Sequence, residues 1–304
     1  MRLREAMLVL GTVLVAGCTA QFEDEPWRVE APRVLAIVAE PPEARPGEQV
    51  TLTALVGDVD GPSSVVPAWS VCTRPRTSAE RTAVTERCLQ GRALEPVAAT
   101  MLVPSDACAR FGPNVPPAEG DATPQRPADP DPSGGYFLPV HADVGDAEAF
   151  GAVRIRCDLP GVTRAIFDAF EDRYVANVNP RIEAVRLEGE GVAPPDDSPV
   201  VRVAAGAQVS IEVVVPGDAA EPYVRYDSGS GTLEDEREWI RVQWLVTDGV
   251  LQRSQDTVVP NADGAVVAAP WTAPADPTVV HGWVVLTDAR GGSAWQAFSV
   301  DVSG

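Results

Sequence analysis

Residues 278–302 have the sequence TVVHGWVVLTDARGGSAWQAFSVDV, and this stretch decides the fold class of the chain. Two runs with alternating apolar and polar residues, 278–287 and 293–302, flank the segment Asp288-Ala-Arg-Gly-Gly292. Alternation with a period of two is typical of half-buried β-strands, and a short Asp/Gly-rich segment favours a tight turn. The stretch therefore predicts a β-hairpin.

The residues before this hairpin predict further strands of the same kind. Glu238–Thr247 (EWIRVQWLVT) alternates in polarity and is followed by Asp248-Gly249, a strong turn pattern. Trp271-Thr-Ala-Pro274 then leads into the hairpin. Short strands that carry tryptophan and are separated by turns are typical of a β-sandwich.

The chain also contains two similar halves. Residues 32–40 (PRVLAIVAE) align with residues 180–188 (PRIEAVRLE), and residues 47–52 (GEQVTL) align with residues 206–211 (GAQVSI). Each half thus begins with a strand, a turn and a second alternating strand. Chance similarity between β-rich stretches is the alternative explanation.

The first half contains a long irregular segment. Its further strand candidates are Val66–Cys72, Tyr136–Val140 and Ala152–Cys157. Between them, residues 113–132 contain seven prolines and several acidic residues, a composition that buries too little apolar surface to fold by itself. We interpret residues 73–135 as an insertion between strands.

The order of a Trp-bearing strand, a Thr-Ala-Pro segment, a strand, a D-x-x-G-G turn and a final strand resembles the immunoglobulin-like and PKD-like modules of bacterial surface proteins. With the block R-[VI]-x-A-[IV], present at Arg33–Ile37 and Arg181–Val185, it also resembles lipoproteins of myxobacteria. The resemblance covers most of residues 30–304. It implies an all-β chain with two immunoglobulin-like β-sandwich domains in tandem, the first with a long Pro-rich, disulfide-held insertion; such motifs indicate fold rather than function.

These patterns place domain 1 at residues 32–178 and domain 2 at residues 179–304. Gly161–Tyr174 has apolar residues at helical spacing and predicts an amphipathic helix at the end of domain 1. Domain 2 has 126 residues and no cysteine. Because a simple immunoglobulin-like sandwich needs about 100 residues, we expect domain 2 to fold alone.

The N-terminal residues have the pattern of an export signal. Arg2 and Arg4 precede twelve uncharged residues, too few to span a bilayer as a helix. The run ends in Val15-Ala-Gly-Cys18, which resembles the lipobox of bacterial lipoproteins. That resemblance implies a signal peptide at residues 1–17, lipidation of Cys18 and a tether at residues 18–31. An ordinary secretory signal and a buried apolar helix are the alternatives.

A lipidated Cys18 makes the membrane a partner of the chain. Acyl chains contribute ~0.8 kcal/mol per buried CH₂, so the two or three chains of a lipoprotein anchor hold stably where a single chain does not. Thr19 occupies the position at which an Asp retains enteric lipoproteins on the inner membrane. The expected location is therefore the cell envelope, at the outer membrane.

The charge of the chain excludes other partners. It has a net charge of −20, and all 24 basic residues are arginine. Nucleic acids and anionic lipid surfaces both require clustered cationic side chains. We therefore expect no nucleic-acid partner.

The remaining four cysteines, Cys72, Cys88, Cys108 and Cys157, form an even set in a chain that is expected to be exported. Such a set predicts two disulfides, for which three connectivities are possible. The sequence weakly favours the local pairing of Cys72 with Cys88. No C-x-x-C motif or nearby histidine pair indicates zinc.

Catalytic patterns are absent from the sequence. It contains no G-x-S-x-G, H-E-x-x-H or P-loop motif, and only two histidines, His141 and His281. Acidic loops could supply oxygen ligands to Ca²⁺, but none has EF-hand spacing and turns select Asp and Gly for backbone reasons. We therefore expect that the protein is not an enzyme and that it requires no cofactor or metal. These loops lie at 58–61, 196–197, 234–236 and 263–264.

The leading hypothesis is a non-catalytic structural or adhesion-type binding module of the cell envelope, with an envelope protein or a glycan as its partner. A carbohydrate-binding accessory protein is the alternative, since aromatic rings stack on sugars. Trp239 and Trp271, which lie near predicted strand ends, are the candidate platform residues. A hydrolase that uses paired carboxylates is the third possibility.

Overall fold

The structure is a computed structural model that describes residues 25–77, 79–112, 135–145, 147–192 and 201–304. Cys18, the signal peptide, the proline-rich residues 113–132 and the acidic pair at 196–197 lie outside the described residues. Within the described part, no helix is both long and apolar enough to cross a membrane.

Sandwich 1 occupies residues 33–155 and consists of two facing sheets. One sheet has the order β1-β3-β4, with β7 also paired to β3, and the other has the order β2-β9-β8-β5-β6. Its strands are β1 (Arg33–Glu40), β2 (Glu43–Ala44), β3 (Gln49–Asp58), β4 (Gly61–Pro62), β5 (Ala68–Cys72), β6 (Leu94–Val97), β7 (Thr100–Leu102), β8 (Tyr136–Asp143) and β9 (Glu148–Ile155), and its short helices are α1 (Glu86–Leu89) and α2 (Ala107–Phe111).

Sandwich 2 occupies residues 184–303, after helix α3 (Arg164–Arg173). Its sheets have the orders β11-β10-β13-β19-β17 and β12-β21-β20-β16-β18, and β14 and β15 form a separate hairpin. Its strands are β10 (Ala184–Leu187), β11 (Glu190–Gly191), β12 (Val201–Ala204), β13 (Gln208–Val215), β14 (Pro222–Asp227), β15 (Thr232–Arg237), β16 (Ile240–Val246), β17 (Val250–Leu251), β18 (Gln255–Val258), β19 (Ala265–Thr272), β20 (Thr278–Asp288) and β21 (Ser293–Ser303).

The two sandwiches share one immunoglobulin-like topology. In each, the first strand pairs antiparallel with its neighbour, as β1 does with β3 and β10 does with β13. A short strand then joins the opposite sheet, where it runs parallel to the last strand of the domain, as β2 does with β9 and β12 does with β21. The two aligned sequence blocks are the first strand pair of each sandwich.

A buried tryptophan occupies the equivalent strand of both cores. Trp69 lies on β5 and Trp244 lies on β16, the strand that carries the core tryptophan in immunoglobulin domains. Each packs among aliphatic side chains from both sheets of its own sandwich. Burial of these alternating apolar positions is the main stabilising contribution.

Residues 73–135 contain more regular structure than an insertion would. β6 pairs with β5 and β7 pairs with β3, so this segment supplies one strand to each sheet of sandwich 1. The two strands are only four and three residues long, and Pro96 interrupts the first. Their shortness hides the period of two on which sequence-based strand prediction depends.

Residues 25–31, here called the latch, correct the prediction that residues 18–31 form a tether. Trp27 is 7% exposed within the core of sandwich 2, and Val29 is wholly buried between the sandwiches. The Val29 amide donates to the Val246 carbonyl (2.9 Å), and the Val246 amide donates to the Trp27 carbonyl (3.2 Å). The latch therefore extends the edge of β16 instead of standing free.

An apolar seam joins the two sandwiches. Its buried side chains come from the latch (Val29), from β3 (Leu55) and from the outer face of the β16 sheet (Leu245, Trp283, Val285). Leu35 and Trp295 pack at its margin. In an isolated domain 2 this seam would be exposed to solvent, and Trp27 would be missing from its core. The stability of domain 2 therefore depends on residues outside it.

The predicted boundary at residues 178/179 falls within a linker that contacts both sandwiches. Helix α3 begins after Thr163, whose hydroxyl accepts from the Ile166 amide (3.4 Å), and its Phe170 packs against Val224 of β14. The Asn179 side chain donates to the Ala39 carbonyl (2.8 Å) and accepts from the Ser293 amide (2.8 Å). The predicted helix is thus present, but it packs on domain 2 as well as ending domain 1.

The latch generates a testable prediction. Trp27→Ala should lower the free energy of unfolding by about 3–5 kcal/mol, because it leaves a cavity in the core of sandwich 2. The exposed Trp239 provides the control, and its replacement by alanine should cost less than half as much. Urea unfolding of both variants measures the difference; equal losses would show that the latch is not part of the core.

Candidate functional site

A groove of ≈740 Å³ with largely apolar walls lies at the junction of the two sandwiches. Sandwich 2 contributes its floor from β16, β20 and β21, through Gln243, Val285, Thr287 and Ser293. Sandwich 1 contributes one wall from β1, β8 and β9, which carries the apolar side chains Leu35, Ile37, Phe137, Pro139 and Phe150.

The composition of the groove differs from that of the chain. The chain has 44 acidic residues among 304, yet none of the described residues that line the groove is acidic. Arg76 is the one charged residue among them, and its guanidinium donates to the Glu80 carbonyl (3.3 Å). Over its described residues, the groove is therefore an apolar and partly aromatic surface with one cation, Arg76, at its rim.

Both disulfides hold rim segments of this groove. Cys72–Cys88 closes the loop that carries Pro75, Arg76, Val84 and Thr85, and Cys108–Cys157 holds helix α2, which carries Phe111. The disulfides expected from the cysteine count are thus present, with Cys72 paired to Cys88. Cross-links restrict the unfolded chain and so stabilise segments that have few apolar contacts of their own.

The Cys72–Cys88 loop is also ordered by one carboxylate. The Glu80 side chain accepts from the Thr77 amide (2.7 Å), the Thr85 hydroxyl (2.6 Å) and the Glu86 amide (2.9 Å). These hydrogen bonds, first of all that from the Thr77 amide, lower the pKa of Glu80 to about 2. The carboxylate therefore stays ionised and keeps the loop in place at neutral pH.

The two candidate platform tryptophans differ in burial. Trp271 is 1% exposed because it follows Val267 and Ala269 on the inward face of β19, and its indole donates to the Asp248 carbonyl (3.0 Å). It is a core residue, which corrects the prediction of a surface platform. Trp239 is 38% exposed, and the Arg241 guanidinium lies 5.6 Å from its ring centre.

Trp239 lies on the same sheet face as the groove floor. Trp239 directly precedes β16, Arg241 and Gln243 follow it at the period of two, and Arg241 is paired with Thr287, which lines the groove. Side chains at alternate positions of a strand share one face. The exposed tryptophan is therefore a neighbour of the groove and not part of its wall.

A buried polar cluster fixes the junction beside the groove. Arg290, 2% exposed in the β20–β21 turn, donates to Glu238 (2.5 Å), to Glu221 (2.8 Å) and to the Val175 carbonyl of the linker (2.7 Å). Burial raises the pKa of Glu238 and of Glu221, although Arg290 acts in the opposite direction on both. The pairing is required because an unpaired buried carboxylate is strongly destabilising.

A second cation on sandwich 1 faces the same linker. Arg154 of β9 is buried and pairs with Glu43 of β2 (3.1 Å). Glu43 also accepts from the Tyr174 hydroxyl (2.5 Å) and from the Asn177 amide (3.1 Å). Burial, reinforced by the charge of Glu43, raises the pKa of Tyr174 to about 12. The linker is thus held from both sides.

Asp288 completes the cluster by holding the β20–β21 turn. Its carboxylate accepts from the amides of Arg290 (2.8 Å) and Gly292 (2.9 Å) and lies 3.3 Å from the Asn177 side-chain amide. Burial raises its pKa, and the backbone donors offset part of that effect. A Cβ at position 292 would lie 2.2 Å from the Asp288 carboxylate, so glycine is required at position 292 for space.

One arrangement that the sequence did not reveal looks like a nucleophile system. Ser70 Oγ lies 3.2 Å from His141 Nδ1, and His141 Nε2 lies 2.9 Å from Glu148 Oε2, across three adjacent strands. Ser70 and His141 are buried, with Phe150 against the imidazole (4.7 Å between ring centres). Because β5 lies between β6 and β8, its amides belong to the sheet ladders and do not form an oxyanion hole.

The other histidine is structural. His281 Nδ1 lies 2.9 Å from the Ser299 hydroxyl on the neighbouring strand, and its backbone amide donates to the Thr247 hydroxyl (3.0 Å). Gly61 of sandwich 1 lies directly over its ring, where a Cβ would approach to 2.9 Å. Burial lowers the pKa of His281, which favours the neutral imidazole at neutral pH.

The candidate calcium loops have other roles where the structure describes them. Glu234 and Glu236 pair with Arg225, and Asp235 pairs with Arg173 of α3. The Asp58 and Asp263 loops are tight turns. Across the described residues, no group of three or more His, Cys, Asp or Glu side chains is placed to hold a metal ion.

No family model matches the chain, and no curated protein matches it significantly. Among solved structures it is similar to the D0–D1 domain of intimin, with 12% identity and a TM-score of 0.23 over 88% of this chain and 99% of that one. The D00–D0 domain of intimin gives 8% identity and a TM-score of 0.24 over 88% of this chain and 100% of that one.

A third similar structure is dimeric latent PorU from Porphyromonas gingivalis, with 14% identity and a TM-score of 0.23 over 91% of this chain and 24% of that one. With TM-scores this low, the immunoglobulin-like description of the chain rests on its own strand order and cores.

The Arg290 cluster yields a prediction with a defined pH dependence. Arg290→Met should lower the free energy of unfolding by about 3–5 kcal/mol at pH 7, because it leaves Glu238 and Glu221 buried without their cation. The exposed pair Arg202–Asp301 provides the control, and Arg202→Met should cost at most about 1 kcal/mol.

The loss in Arg290→Met should shrink as the pH falls. Burial raises the pKa of Glu238, Glu221 and Asp288, so the folded state binds their protons at a higher pH than the unfolded chain does. Their contribution to stability is fully present below the ordinary carboxyl pKa of about 4 and is lost as the pH rises through the raised folded values. A pH-independent loss, measured by urea unfolding between pH 5 and pH 8, would contradict the assignment.

The Ser70 arrangement is tested by a serine-directed probe. A fluorophosphonate should leave Ser70 unmodified in the folded protein, because the hydroxyl is buried and lacks an oxyanion hole. Ser70→Ala should instead lower the free energy of unfolding by about 1–3 kcal/mol, since His141 loses a buried hydrogen-bond partner. Stoichiometric modification of Ser70, read by mass spectrometry, would reopen the hydrolase hypothesis.

Proposed function

We propose that the chain is a lipid-anchored protein of the bacterial cell envelope whose joined sandwiches act as a non-catalytic binding module. The lipobox-like residues Val15–Cys18 support the anchor, and Thr19 supports the outer membrane as its destination. The two disulfides are in keeping with an exported chain, because such bonds persist in oxidising compartments.

The groove at the junction is the observation that carries the proposed binding role. Its volume of ≈740 Å³ lies within the roughly 300–1,000 Å³ of typical ligand sites. Its described walls combine apolar side chains with Gln243, Thr287 and Ser293, and they contain no carboxylate although the chain is rich in acidic residues. This chemistry fits an apolar segment of a protein partner that has an acidic group opposite Arg76.

Rigidity of the junction strengthens the proposal. The apolar seam and the Arg290 cluster both join the floor of the groove, on sandwich 2, to its wall on sandwich 1. A site whose walls are fixed before binding loses less conformational entropy on association. The groove is therefore preorganised.

A glycan is the second candidate ligand, and Trp239 is the observation that favours it. The ring is partly exposed beside Arg241, which can donate hydrogen bonds to hydroxyl groups. One aromatic face offers a small platform, whereas the groove offers a surface for several side chains. The protein-partner hypothesis is therefore preferred.

Photo-crosslinking separates the two candidates. A photoreactive phenylalanine at position 137, which is 40% exposed on the groove wall, should give one adduct of defined mass in intact cells. The same group at position 266, exposed on the outer face of β19, should give none. Binding of the purified partner should weaken at least tenfold, about 1.4 kcal/mol, in Phe137→Asp and stay unchanged in Val266→Asp and Trp239→Ala.

The opposite pattern would contradict the groove assignment. If Trp239→Ala abolishes binding to a glycan and Phe137→Asp does not affect any interaction, the carbohydrate hypothesis replaces it. The anchor is tested independently, because Cys18→Ala should remove radiolabelling by fatty acid and release the chain from the membrane fraction. Unchanged labelling in that variant would refute the lipid anchor.

A further inference from the structure

The latch fixes the point at which the N-terminal part of the chain leaves the folded body. Its backbone pairs with Val246 at the last residue of β16, and Trp27 is inserted in the core of sandwich 2. Arg28 ties the latch to the next turn, since its guanidinium donates to the Gly249 carbonyl (2.8 Å) and pairs with Glu25 (2.9 Å). The latch therefore cannot rotate freely about the body.

The distance from this point to Cys18 is short. Only six residues, 19–24, here called the tether, separate Cys18 from Glu25. A fully extended chain covers at most about 3.3–3.6 Å per residue, so Cys18 lies within roughly 25 Å of the latch. That limit is smaller than the roughly 36 Å that the eleven residues of β20 span, so the latch end of sandwich 2 must remain near any lipid that Cys18 carries.

The groove lies toward the opposite end of the same strands. Val246 is paired with Gly282 at the latch end of the sheet, whereas Arg241 is paired with Thr287 toward the other end. Gln243, Thr287 and Gly291 line the groove. Since strand residues rise by about 3.3 Å each, the latch and the groove are separated along β16 and β20.

We propose that the latch orients the protein on the bilayer, with one end of sandwich 2 facing the lipid headgroups and the groove opening away from them. This membrane-facing end is formed by the latch, the turn at 247–249 and the segment 273–278, and it also includes the C-terminal residue Gly304, which lies against Pro277. The proposal rests on the lipid anchor proposed above.

The charge of this end shows what kind of contact it makes with the membrane. Glu25, Glu30, Asp248 and Asp276 outnumber the cations Arg28 and Arg33, whose guanidinium donates to the Pro26 carbonyl of the latch (2.7 Å), so this end does not attract anionic headgroups. The tether alone holds it near the bilayer. The chain without a lipid should therefore not bind vesicles of phosphatidylglycerol.

A lysine-based label measures this orientation, because the chain contains no lysine. Asp276→Lys places a unique side-chain amine on the membrane-facing end, and Asp263→Lys places one in the exposed turn after β18, at the far end. Each variant, residues 18–304, is coupled through the Cys18 thiol to maleimide lipids in vesicles and then labelled with an amine-reactive fluorophore. The parent chain, which has no lysine, is labelled in the same way and measures how much fluorophore attaches to the N-terminal amine.

The distance of each fluorophore from the bilayer is measured by its quenching by lipids that carry a nitroxide in the headgroup. The label at position 276 should be quenched severalfold more than the label at position 263. Insertion of twelve Gly/Ser residues after Asp24 keeps the latch folded but lengthens the tether, and it should make the two values equal. Equal or reversed quenching without the insertion would overturn the orientation, and a difference that survives the insertion would show that the latch does not set it.

The coupling to maleimide lipids makes this test independent of native lipidation. Failure of the Cys18→Ala labelling experiment would refute the proposed anchor and leave the measured orientation of the latch unaffected. Binding of the uncoupled chain to phosphatidylglycerol vesicles would overturn the statement that the tether alone holds this end.

Discussion

The buried guanidinium of Arg290 is the interaction on which the arrangement of the two sandwiches depends. It neutralises Glu238 and Glu221 within sandwich 2 and at the same time binds the Val175 carbonyl of the linker. Two carboxylates without a cation would cost several kcal/mol in this environment. Because the linker is held there, Asn179 reaches both sandwiches and the apolar seam can close between them.

The groove is a consequence of this junction and of the two disulfides. Its floor belongs to sandwich 2, its wall belongs to sandwich 1, and its rim belongs to segments that Cys72–Cys88 and Cys108–Cys157 hold in place. Neither sandwich alone forms it. The acidic residues of the described chain lie elsewhere, many in turns or opposite arginines, as Asp235 does with Arg173. The absence of carboxylates among the described groove residues is therefore a local property of the surface.

The sequence predicted those features that repeat along the chain with a clear period. The hairpin 278–302 and the two aligned opening blocks alternate over many residues, and they define the topology of both sandwiches. The latch was not predicted because its seven residues follow an acidic run and do not alternate in polarity. Trp27 was the one residue in it that indicated burial. The prediction for Trp271 was wrong because it relied on nearness to a strand end. Burial is instead decided by the face of β19 on which the side chain lies, and Trp271 is on the inward face.

The groove could not be predicted, because its residues come from β1, β8, β9, β16, β20, β21, helix α2 and the disulfide loop. The Ser70–His141 contact was hidden for the same reason, since 71 residues separate its partners. Contacts between distant segments follow from strand order, and no local pattern encodes them.

The central claim is that the two sandwiches form one rigid body, and a distance distribution between them tests it most directly. In the Cys18→Ala background, spin labels at Glu95→Cys on β6 and Arg202→Cys on β12 report on the two sandwiches by double electron–electron resonance. We expect one narrow distance distribution at pH 7, which broadens when Arg290→Met is added. A broad or multiple distribution in the presence of Arg290 would contradict it.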